Sequence, residues 1–341
     1  MRPDFRNGFT VHKDGGDFVF VSPHSGPALE TPTARDEYSE TVASLCWKKL
    51  GGTLIVSNVT RKRMWGIDFN RMKPPKDLAI KYFPLFEKDR EEDREKLYDY
   101  RKKYAWVAVN EKDHRHREKI FDGFWHTVRN SGRLNVFLHR KFMRPKNFPM
   151  VMDIVNFQGK GVDTPIVKKI IENINEEYKE FFESIKNLYL SEVMVEERRI
   201  IKRMKKVFGD FSLEKAGMEY KEHLKSDLKF IKKYADKDLV KKLDDRFNQT
   251  NFLKATKSGL KNAKTPYVSL NKIFGGGLAF GPATELEMGD RIILEIELNQ
   301  FIGRFFPEEA SDIVNSLVDK LRKIEKYKIM GMGQTEIIKF I

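Results

Sequence analysis

Four clusters of polar side chains in this sequence are of the types that metal binding and acid–base chemistry require. A histidine accompanied by carboxylates is a donor set for zinc or for a harder cation. An arginine beside an asparagine suits the capture of a substrate carboxylate, because the guanidinium group can bind both carboxylate oxygens. A glutamate on a strand of otherwise apolar residues is expected to have a raised pKa, which a general base near neutrality needs. The clusters are His24, the pair Asp36 and Glu40, the trio Asp68, Asn70 and Arg71, and the pair Glu295 and Glu297.

Each cluster also has an interpretation that involves no chemistry. Histidines are common in surface turns, and acids near a helix N-terminus complement the helix dipole. Alternating glutamates are typical of the solvent face of an edge strand. In this interpretation the roles are a surface turn for His24, a helix-dipole partner for Asp36, an ion pair of Asp68 with Arg61 or Arg63, and an edge-strand face for Glu295 and Glu297.

The elements around the first clusters predict the start of a parallel sheet. Residues 18–21 are an apolar run that predicts a strand buried on both faces, and a polar turn over 23–26 follows it. A helix is predicted over about 35–50, where two glycines end it, and residues 53–56 form a second strand. We therefore expect His24 at the carboxyl end of a strand, where open α/β sheets bind ligands.

The rest of the chain predicts further strands of an α/β sheet, interrupted by a helical insertion. Three parts are expected: 1–163 and 254–341 form the α/β domain, and 164–253 is a helical insertion or lid of three or four helices. Further elements are predicted as strands over 104–109, 134–139, 150–154 and 291–298, a helix from 114, a charged helix or lid over 85–103, a glycine-rich turn over 273–278, and a last helix over 311–326 with Ser311 as its N-cap.

Composition limits the class of protein. The chain has 341 residues and a single cysteine, Cys46, so an intrachain disulfide and a site built from several thiolates are excluded. There is no apolar run long enough for a membrane span and no secretory signal at the start, so we expect a cytoplasmic protein. The charged residues make up 33% of the chain, a share that fits a thermophilic protein.

The net charge of +14 is concentrated in the first part of the chain. Residues 1–160 carry 31 Lys and Arg against 21 Asp and Glu, a difference of +10. A small anionic substrate is the natural implication, and plain solubility charge is the alternative. Nucleic-acid binding through the basic stretches 61–63 and 101–103 is a further alternative, although no RNA-binding motif supports it. The sequence does not indicate an oligomeric state.

The order of the four clusters resembles the N-formylglutamate amidohydrolase family. The loop Pro23-His24-Ser25-Gly26 resembles the Pro-His-Ser-Gly loop of that family, and Asp36 with Glu40 looks like its two acids spaced by four. Residues 50–55 are similar to its helix end and second strand, and residues 67–71 to its Asp-x-Asn-Arg signature. Residues 274–276 and 294–298 look like its late glycine turn and its glutamate-bearing strand.

The resemblance implies an α/β fold with a mixed, largely parallel sheet flanked by helices, of the phosphorylase- and hydrolase-like kind. It also implies a zinc-dependent amidohydrolase related to zinc carboxypeptidases and to the succinylglutamate desuccinylase and aspartoacylase group. It implies cleavage of the amide bond of a small N-acylated, anionic substrate such as N-formylglutamate. In that scheme the metal lowers the pKa of its bound water and polarises the scissile carbonyl, while a glutamate moves the proton. The resemblance implies that His24 and Asp36 are metal ligands, with Glu40 as the alternative carboxylate. It implies substrate binding for Arg71 and Asn70, in the cluster with Asp68 and beside Arg63. It makes Glu297 the general base, with Glu295 as the alternative.

One position departs from the family pattern. The third zinc ligand of the family is a histidine in an Asp-x-His motif at a strand end, and the matching residues here are Asp153, Ile154 and Val155. Three alternatives follow: the metal takes a ligand from elsewhere, with His139 the best-placed candidate; the strands are wrongly matched; or the metal site is lost. The last alternative predicts a non-catalytic relative.

Overall fold

The computed structural model shows an eight-stranded mixed sheet flanked by helices, which confirms the predicted α/β fold. It describes residues 4–29, 35–209, 218–243, 247–273, 280–286 and 291–329, together with 333 and 336–337. Within these ranges the strands are β1 (Asp4–Arg6), β2 (Phe9–Asp14), β3 (Phe18–Ser22), β4 (Gly52–Ser57), β5 (Leu134–Lys141), β6 (Met150–Val155), β7 (Tyr267–Leu270) and β8 (Ile292–Asn299).

The strand order β1-β2-β4-β3-β5-β8-β6-β7 places four parallel strands at the centre of the sheet. Strands β4, β3, β5 and β8 run in one direction, whereas β2 and β6 are antiparallel to their neighbours β4 and β8. Residues 18–22 and 52–57 are buried throughout, as the apolar run of the first strand predicts for a central position. The carboxyl ends of the four parallel strands consequently meet at one edge of the sheet.

The helices before the middle of the chain cover both faces of the sheet. They are α1 (Ser39–Leu50), α2 (Lys76–Lys88), α3 (Arg94–Lys103) and α4 (Glu111–Arg129). The later helices are α5 (Thr164–Glu177), α6 (Lys179–Phe208), α7 (Met218–Tyr234), α8 (Lys237–Lys241), α9 (Gln249–Lys261), α10 (Phe280–Glu285), α11 (Gln300–Phe305) and α12 (Pro307–Ile329). Among the described residues, no helix is both long and apolar enough to cross a membrane.

Two hydrophobic cores lie on opposite faces of the sheet because strand side chains alternate. On one face Phe20, Val136 and Leu294 pack with apolar residues of α1, α5, α6, α11 and α12. On the other face Val21 and Phe137 pack with aromatic residues of α4 and with the loop that precedes it. His139 stands two residues after Phe137 on β5, and Glu295 and Glu297 follow Ile293 on β8 at the same spacing, so all three lie on this second face.

The helical segment has a core of its own. Ile201 of α6, Leu224 and Ile231 of α7, and Phe252 of α9 pack together away from the sheet. Helix α5 is different, because Ile166 and its apolar neighbours pack in the core on the sheet. The domain division at 163 and 253 stays a prediction.

Several predicted elements differ from the structure. Residues 105–108 are buried loop rather than strand, and only Tyr104 makes an isolated bridge, with Met72. The first helix begins at Ser39 and not near 35, because Tyr38 adopts the left-handed conformation at φ 71°. The last helix begins at Pro307, so Ser311 lies inside it and donates a hydrogen bond to the Glu308 carbonyl instead of capping the helix. The glycine-rich turn over 273–278 lies almost entirely outside the described residues.

Candidate metal and acid–base centre

Two histidines and one aspartate meet at the carboxyl ends of β3 and β5. The Nδ1 atoms of His24 and His139 lie 3.1 and 3.0 Å from the same oxygen, Oδ2 of Asp36. One ligand atom from each of the three residues lies within 4.8 Å of the others, and all three side chains are buried. Two imidazoles and a carboxylate in this arrangement match the three protein ligands of catalytic zinc sites.

The loop between β3 and α1 positions His24 and Asp36 through its own hydrogen bonds. The Asp36 amide donates to the His24 carbonyl at 2.9 Å, and the Ser39 hydroxyl donates to the Asp36 carbonyl at 2.7 Å. The loop runs so close to the segment after β4 that a Cβ on Gly26 would lie 2.0 Å from the Val59 carbonyl oxygen. Only glycine fits there, which gives a steric reason for the glycine of the Pro-His-Ser-Gly sequence.

Asp68 contacts the other ring nitrogen of His24, Nε2. Its Oδ1 lies 2.9 Å from His24 Nε2 and also accepts a hydrogen bond from the Asn70 amide at 3.0 Å. Its Oδ2 forms an ion pair with Arg63 at 2.9 Å. Burial raises the pKa of Asp68, but Arg63 and the other nearby cations reverse this effect and hold it well below the usual range. Asp68 is therefore an anion that orients His24, as carboxylates commonly do for metal-binding histidines.

Asp36 also stays ionised although it is buried. Burial raises its pKa, whereas hydrogen bonds to His139 and His24 and the charge of Arg61 lower it by more, to well below the usual range. Arg61 Nη1 lies 3.3 Å from Asp36 Oδ1, so Oδ2 faces the two imidazoles. A carboxylate that is already ionised is ready to bind a cation.

His139 is the third member of the cluster and comes from β5, not from β6. Its Nε2 lies 3.2 Å from Asn70 Nδ2 and 3.9 Å from Glu295 Oε2. Burial alone lowers the pKa of His139, but Glu295, Asp36 and Glu297 together raise it to about 9. Without a metal, this side chain consequently carries a proton at neutral pH.

Glu297 lies beside this cluster on β8, where it is the register partner of His139. Burial raises the pKa of Glu297 to about 8, against the opposing charges of Lys141 and His139. Within the described part of the chain, its carboxylate has no hydrogen-bond or ion-pair partner, whereas Glu295 accepts from Asn70 at 3.4 Å. A buried carboxylate with a pKa near 8 has the property that a general base needs.

Two sequence-predicted residues are not brought into the cluster. Glu40 points away on α1, where its carboxylate pairs with Arg35 at 2.9 Å and is 40% exposed. The helix begins after Asp36, so the two acids spaced by four do not share a helical face as expected. Arg71 is directed to backbone carbonyls, those of Arg101 at 3.2 Å and Asn70 at 3.0 Å.

The residues at the departure from the family pattern have structural roles. Val155 is buried in the apolar core of the site face and pairs with Glu295 across β6 and β8. Asp153 accepts hydrogen bonds from the Ser269 hydroxyl and from the Lys272 and Ile273 amides, at 2.6, 3.0 and 2.7 Å. Asp153 thus fixes the turn after β7 and is not part of the histidine cluster.

Sequence reasoning missed two cations near the cluster. Arg61 contacts Asp36 directly, although the sequence suggested it only as a partner of Asp68 or as part of a basic stretch. Lys141 ends β5 and is the largest opposing charge at Glu297. Its position two residues after His139 was the available signal, because residues two apart on a strand share a face.

No match to this chain was found among protein-family models, curated proteins or solved structures, so the family resemblance stays a prediction.

Proposed function

We propose that this protein is a metal-dependent amidohydrolase that cleaves the amide bond of a small N-acylated, anionic substrate. The observation that carries the proposal is that His24 and His139 both direct Nδ1 at one oxygen of Asp36. Zinc prefers imidazole nitrogen and carboxylate oxygen donors, and three protein ligands leave a position for water or substrate. When bound, zinc supplies Lewis-acid activation of water and of the scissile carbonyl.

The donor set fits zinc in its surroundings as well as in its ligands. If the two Nδ1 atoms face the metal, His24 Nε2 is left to donate to Asp68 at 2.9 Å. His139 Nε2 then faces Asn70 and Glu295. Such outer partners fix the tautomer and the orientation of ligating histidines.

The acid–base step is assigned to Glu297. It takes a proton from the attacking water and delivers it to the nitrogen of the leaving amine, so the carboxylate ends in its starting state. Its register pairing with His139 keeps it beside the cluster on the same face of the sheet. Glu295 instead positions Asn70 and His139.

The uneven charge of the chain favours an anionic substrate. Residues 1–160, which supply His24, Asp36 and His139, carry 31 Lys and Arg against 21 Asp and Glu. At the cluster itself Arg61 and Arg63 form ion pairs with Asp36 and Asp68. For the nucleic-acid alternative, Arg63 is unavailable to a phosphate because it pairs with Asp68 and is only 10% exposed, whereas residues 101–103 are exposed.

A metal-stimulated hydrolysis screen over N-formyl and N-acyl amino acids tests the proposal. Zinc-loaded protein should release the amine, while His24→Ala and Glu297→Gln should not. The matched control is Glu40→Gln, which should retain the activity because Glu40 lies outside the cluster. Substoichiometric zinc in the purified protein, with no hydrolysis after zinc is added, would refute the proposal and favour a non-catalytic relative. Salt-dependent binding to RNA or DNA would instead support the nucleic-acid alternative.

A further inference from the structure

A closed loop after β4 carries both arginines that contact the aspartates of the proposed centre. A hydrogen bond of 2.9 Å from the amide of residue 67 to the carbonyl of residue 60 joins the two ends of this loop. Arg61 contacts Asp36 at 3.3 Å. Arg63 contacts Asp68 at 2.9 Å. The position of loop 60–67 therefore decides where the two guanidinium groups stand.

One side chain of α4, Arg117, holds this loop through three of its backbone carbonyls. Its Nη1 donates to the carbonyls of Arg63 at 3.3 Å and Gly66 at 2.8 Å, and its Nη2 donates to the carbonyl of Met64 at 2.8 Å. A guanidinium group presents its donors in a rigid plane, so the three carbonyls bound to it have fixed relative positions. The ammonium group of a lysine, on its flexible stem, imposes no such geometry.

The start of α4 fixes Arg117 in turn. Its Nε donates to Asp113 Oδ1 at 3.0 Å, one helical turn earlier. The other carboxylate oxygen of Asp113 accepts from the Val109 amide at 3.1 Å. The Asp113 amide donates at 3.0 Å to the side chain of Asn110, which caps the helix. The side chain of Arg117 is 12% exposed, so protein groups and not solvent determine its orientation.

The contacts of Arg117 lie close to the centre along the chain. Asp68 follows Gly66 by two residues, so a carbonyl that Arg117 binds lies next to the segment that carries the Asp68 carboxylate. Asp68 contacts Nε2 of His24, and Asp36 contacts Nδ1 of the same ring. A displacement of the loop would therefore move the groups that orient both nitrogens of His24.

We propose that Arg117 is a positioning residue of the proposed metal centre: by binding three carbonyls of loop 60–67, it places Asp68 and the arginines of this loop against the centre. Arg117 acts through the loop and not through contact with a substrate. The inference rests on the proposed function for its effect on zinc, because the partners that orient a ligating histidine set the metal affinity.

Zinc affinity, measured by competition with a chelator, tests the proposal in three variants. Arg117→Met removes the guanidinium group, and Arg117→Lys keeps the charge without the planar set of donors. The control is Arg129→Met on the same helix, because Arg129 also donates to a backbone carbonyl, that of Glu285 in α10, at 3.2 and 3.0 Å. We expect about a tenfold loss of zinc affinity in both variants at position 117, the lower end of the effect of an outer partner, and no loss in the control.

Two results of this comparison would overturn the inference. Wild-type affinity in Arg117→Lys would mean that the charge suffices and that the geometry of the guanidinium group is not needed. An equal loss in Arg129→Met would assign the effect to the general stability of α4 and its neighbours.

A second measurement needs no metal. The imidazole ¹⁵N resonances of His24 in the metal-free protein report the contacts of its two ring nitrogens. They should shift in Arg117→Met and stay at the wild-type positions in Arg129→Met. Should Arg117→Met fold poorly, Asp113→Asn decides the question, because it disturbs the partner of Arg117 Nε and should shift the same resonances by a smaller amount. Unchanged His24 resonances in the folded variants would overturn the inference.

The failure of the positioning role and the failure of the proposed function are distinguishable. If the wild type neither binds zinc nor hydrolyses any substrate, the proposed function fails, and the His24 resonances still decide the role of Arg117. If the wild type binds zinc and is active, while the variants at position 117 keep both the zinc affinity and the His24 resonances, the proposed function stands and the positioning role is overturned.

Discussion

The imidazole rings of His24 and His139 lie 4.8 Å apart, and each directs Nδ1 at the same carboxylate oxygen of Asp36. His139 lies on β5 and His24 follows the neighbouring parallel strand β3, and the carboxyl ends of both strands lie at one edge of the sheet. A cation bound between the two rings would take the place of the two contacts with Asp36, and its ligands would then be both Nδ1 atoms and the carboxylate oxygen.

Removal of the shared carboxylate should abolish tight metal binding. Asp36→Asn keeps the size of the side chain but removes the negative charge that faces both imidazoles. We expect zinc affinity, measured by competition with a chelator, to fall by at least about 100-fold. Loss of a group that only hydrogen-bonds to a ligand lowers metal affinity by up to about 100-fold, and loss of a ligand should cost no less. Glu40→Gln is the matched control and should bind zinc like the wild type. The opposite result, with Glu40 required and Asp36 dispensable, would show that the cluster is not the metal site.

Asp68→Asn should weaken zinc binding less than the loss of a ligand does. Asp68 contacts the Nε2 of His24, so its charge fixes the ring and raises the basicity of Nδ1. The expected loss is about 10- to 100-fold in zinc affinity. Asp153→Asn, a buried aspartate without contact to His24, should leave the affinity unchanged. Equal effects of the two substitutions would mean that Asp68 acts only through general stability.

Zinc binding should release a proton and strengthen as the pH rises. The pKa of about 9 at His139 means that the metal-free side chain is protonated at neutral pH and must lose its proton to coordinate. The apparent affinity should therefore rise about tenfold per pH unit toward pH 9. Calorimetry in buffers of different ionisation enthalpy counts the released protons. Proton release that does not change between pH 7 and 9 would contradict this assignment.

The same group affects the stability of the metal-free protein in the opposite direction. A histidine whose pKa is raised on folding binds a proton more tightly in the folded state than in the unfolded chain. Its stabilising contribution should be complete below about pH 6.5 and should be lost as the pH rises through about 9. Thermal unfolding of chelator-treated protein over this range measures the effect, and His139→Ala should remove it.

Glu297→Gln should remove most of the hydrolytic rate. Positioned general bases typically contribute about 10²- to 10⁴-fold, so kcat is expected to fall by that range. Because only the ionised form accepts a proton, kcat/KM of the wild type should rise with pH until about pH 8. Glu295→Gln is the structural neighbour on the same face and should affect zinc affinity more than kcat. A Glu297→Gln enzyme with an unchanged rate would assign the base elsewhere.

The sequence was sufficient to predict the α/β sheet, and it named all three residues of the cluster as candidate ligands, His139 only as one of three alternatives. The apolar run before His24 and the glycines after the first helix are local signals, so the central strands followed directly from them. The sequence indicated His139 only as a histidine near the end of another strand, because the order of the strands in the sheet cannot be read from the sequence. The pairing of β5 with both β3 and β8 is what brings His139 to Asp36 and Glu297.

Where the structure differs from the expectations, the causes are backbone conformation and tertiary packing that a local sequence pattern does not show. The spacing of Asp36 and Glu40 predicted one helical face, but Tyr38 in the left-handed conformation delays the helix start to Ser39. Residues 104–109 have strand-forming side chains, yet tertiary packing in the core places most of them in a buried loop. The hydrogen bond from Arg71 to the carbonyl of Arg101, thirty residues away, is a contact that no local pattern indicates, and the substrate-binding role of Arg71 stays a prediction.

A buried ion cluster between the helical segment and the sheet gives a prediction about stability. Arg144 of the β5–β6 connection contacts the carboxyl groups of Glu197 of α6, at 2.9 Å, and of Asp227 of α7, and all three side chains are buried. Arg144→Met leaves two acids buried without their cation, and the expected loss in the free energy of unfolding is about 3–5 kcal/mol. Arg199→Met on α6 removes an exposed ion pair and should cost little, about 0–1 kcal/mol.

The same cluster should make stability fall as the pH rises. Two carboxylates share one guanidinium group, and burial raises the pKa of Glu197 to about 8, so the folded protein retains a proton that the unfolded chain loses near pH 4.5. The contribution of Glu197 is therefore complete below about pH 4.5 and is lost as the pH rises to about 8. Urea unfolding of the wild type and of Glu197→Gln at several pH values measures this difference. Glutamine cannot ionise, so Glu197→Gln should be more stable than the wild type at pH 8. If the stability of both proteins depends on pH in the same way, Glu197 is ionised in the folded state throughout this range.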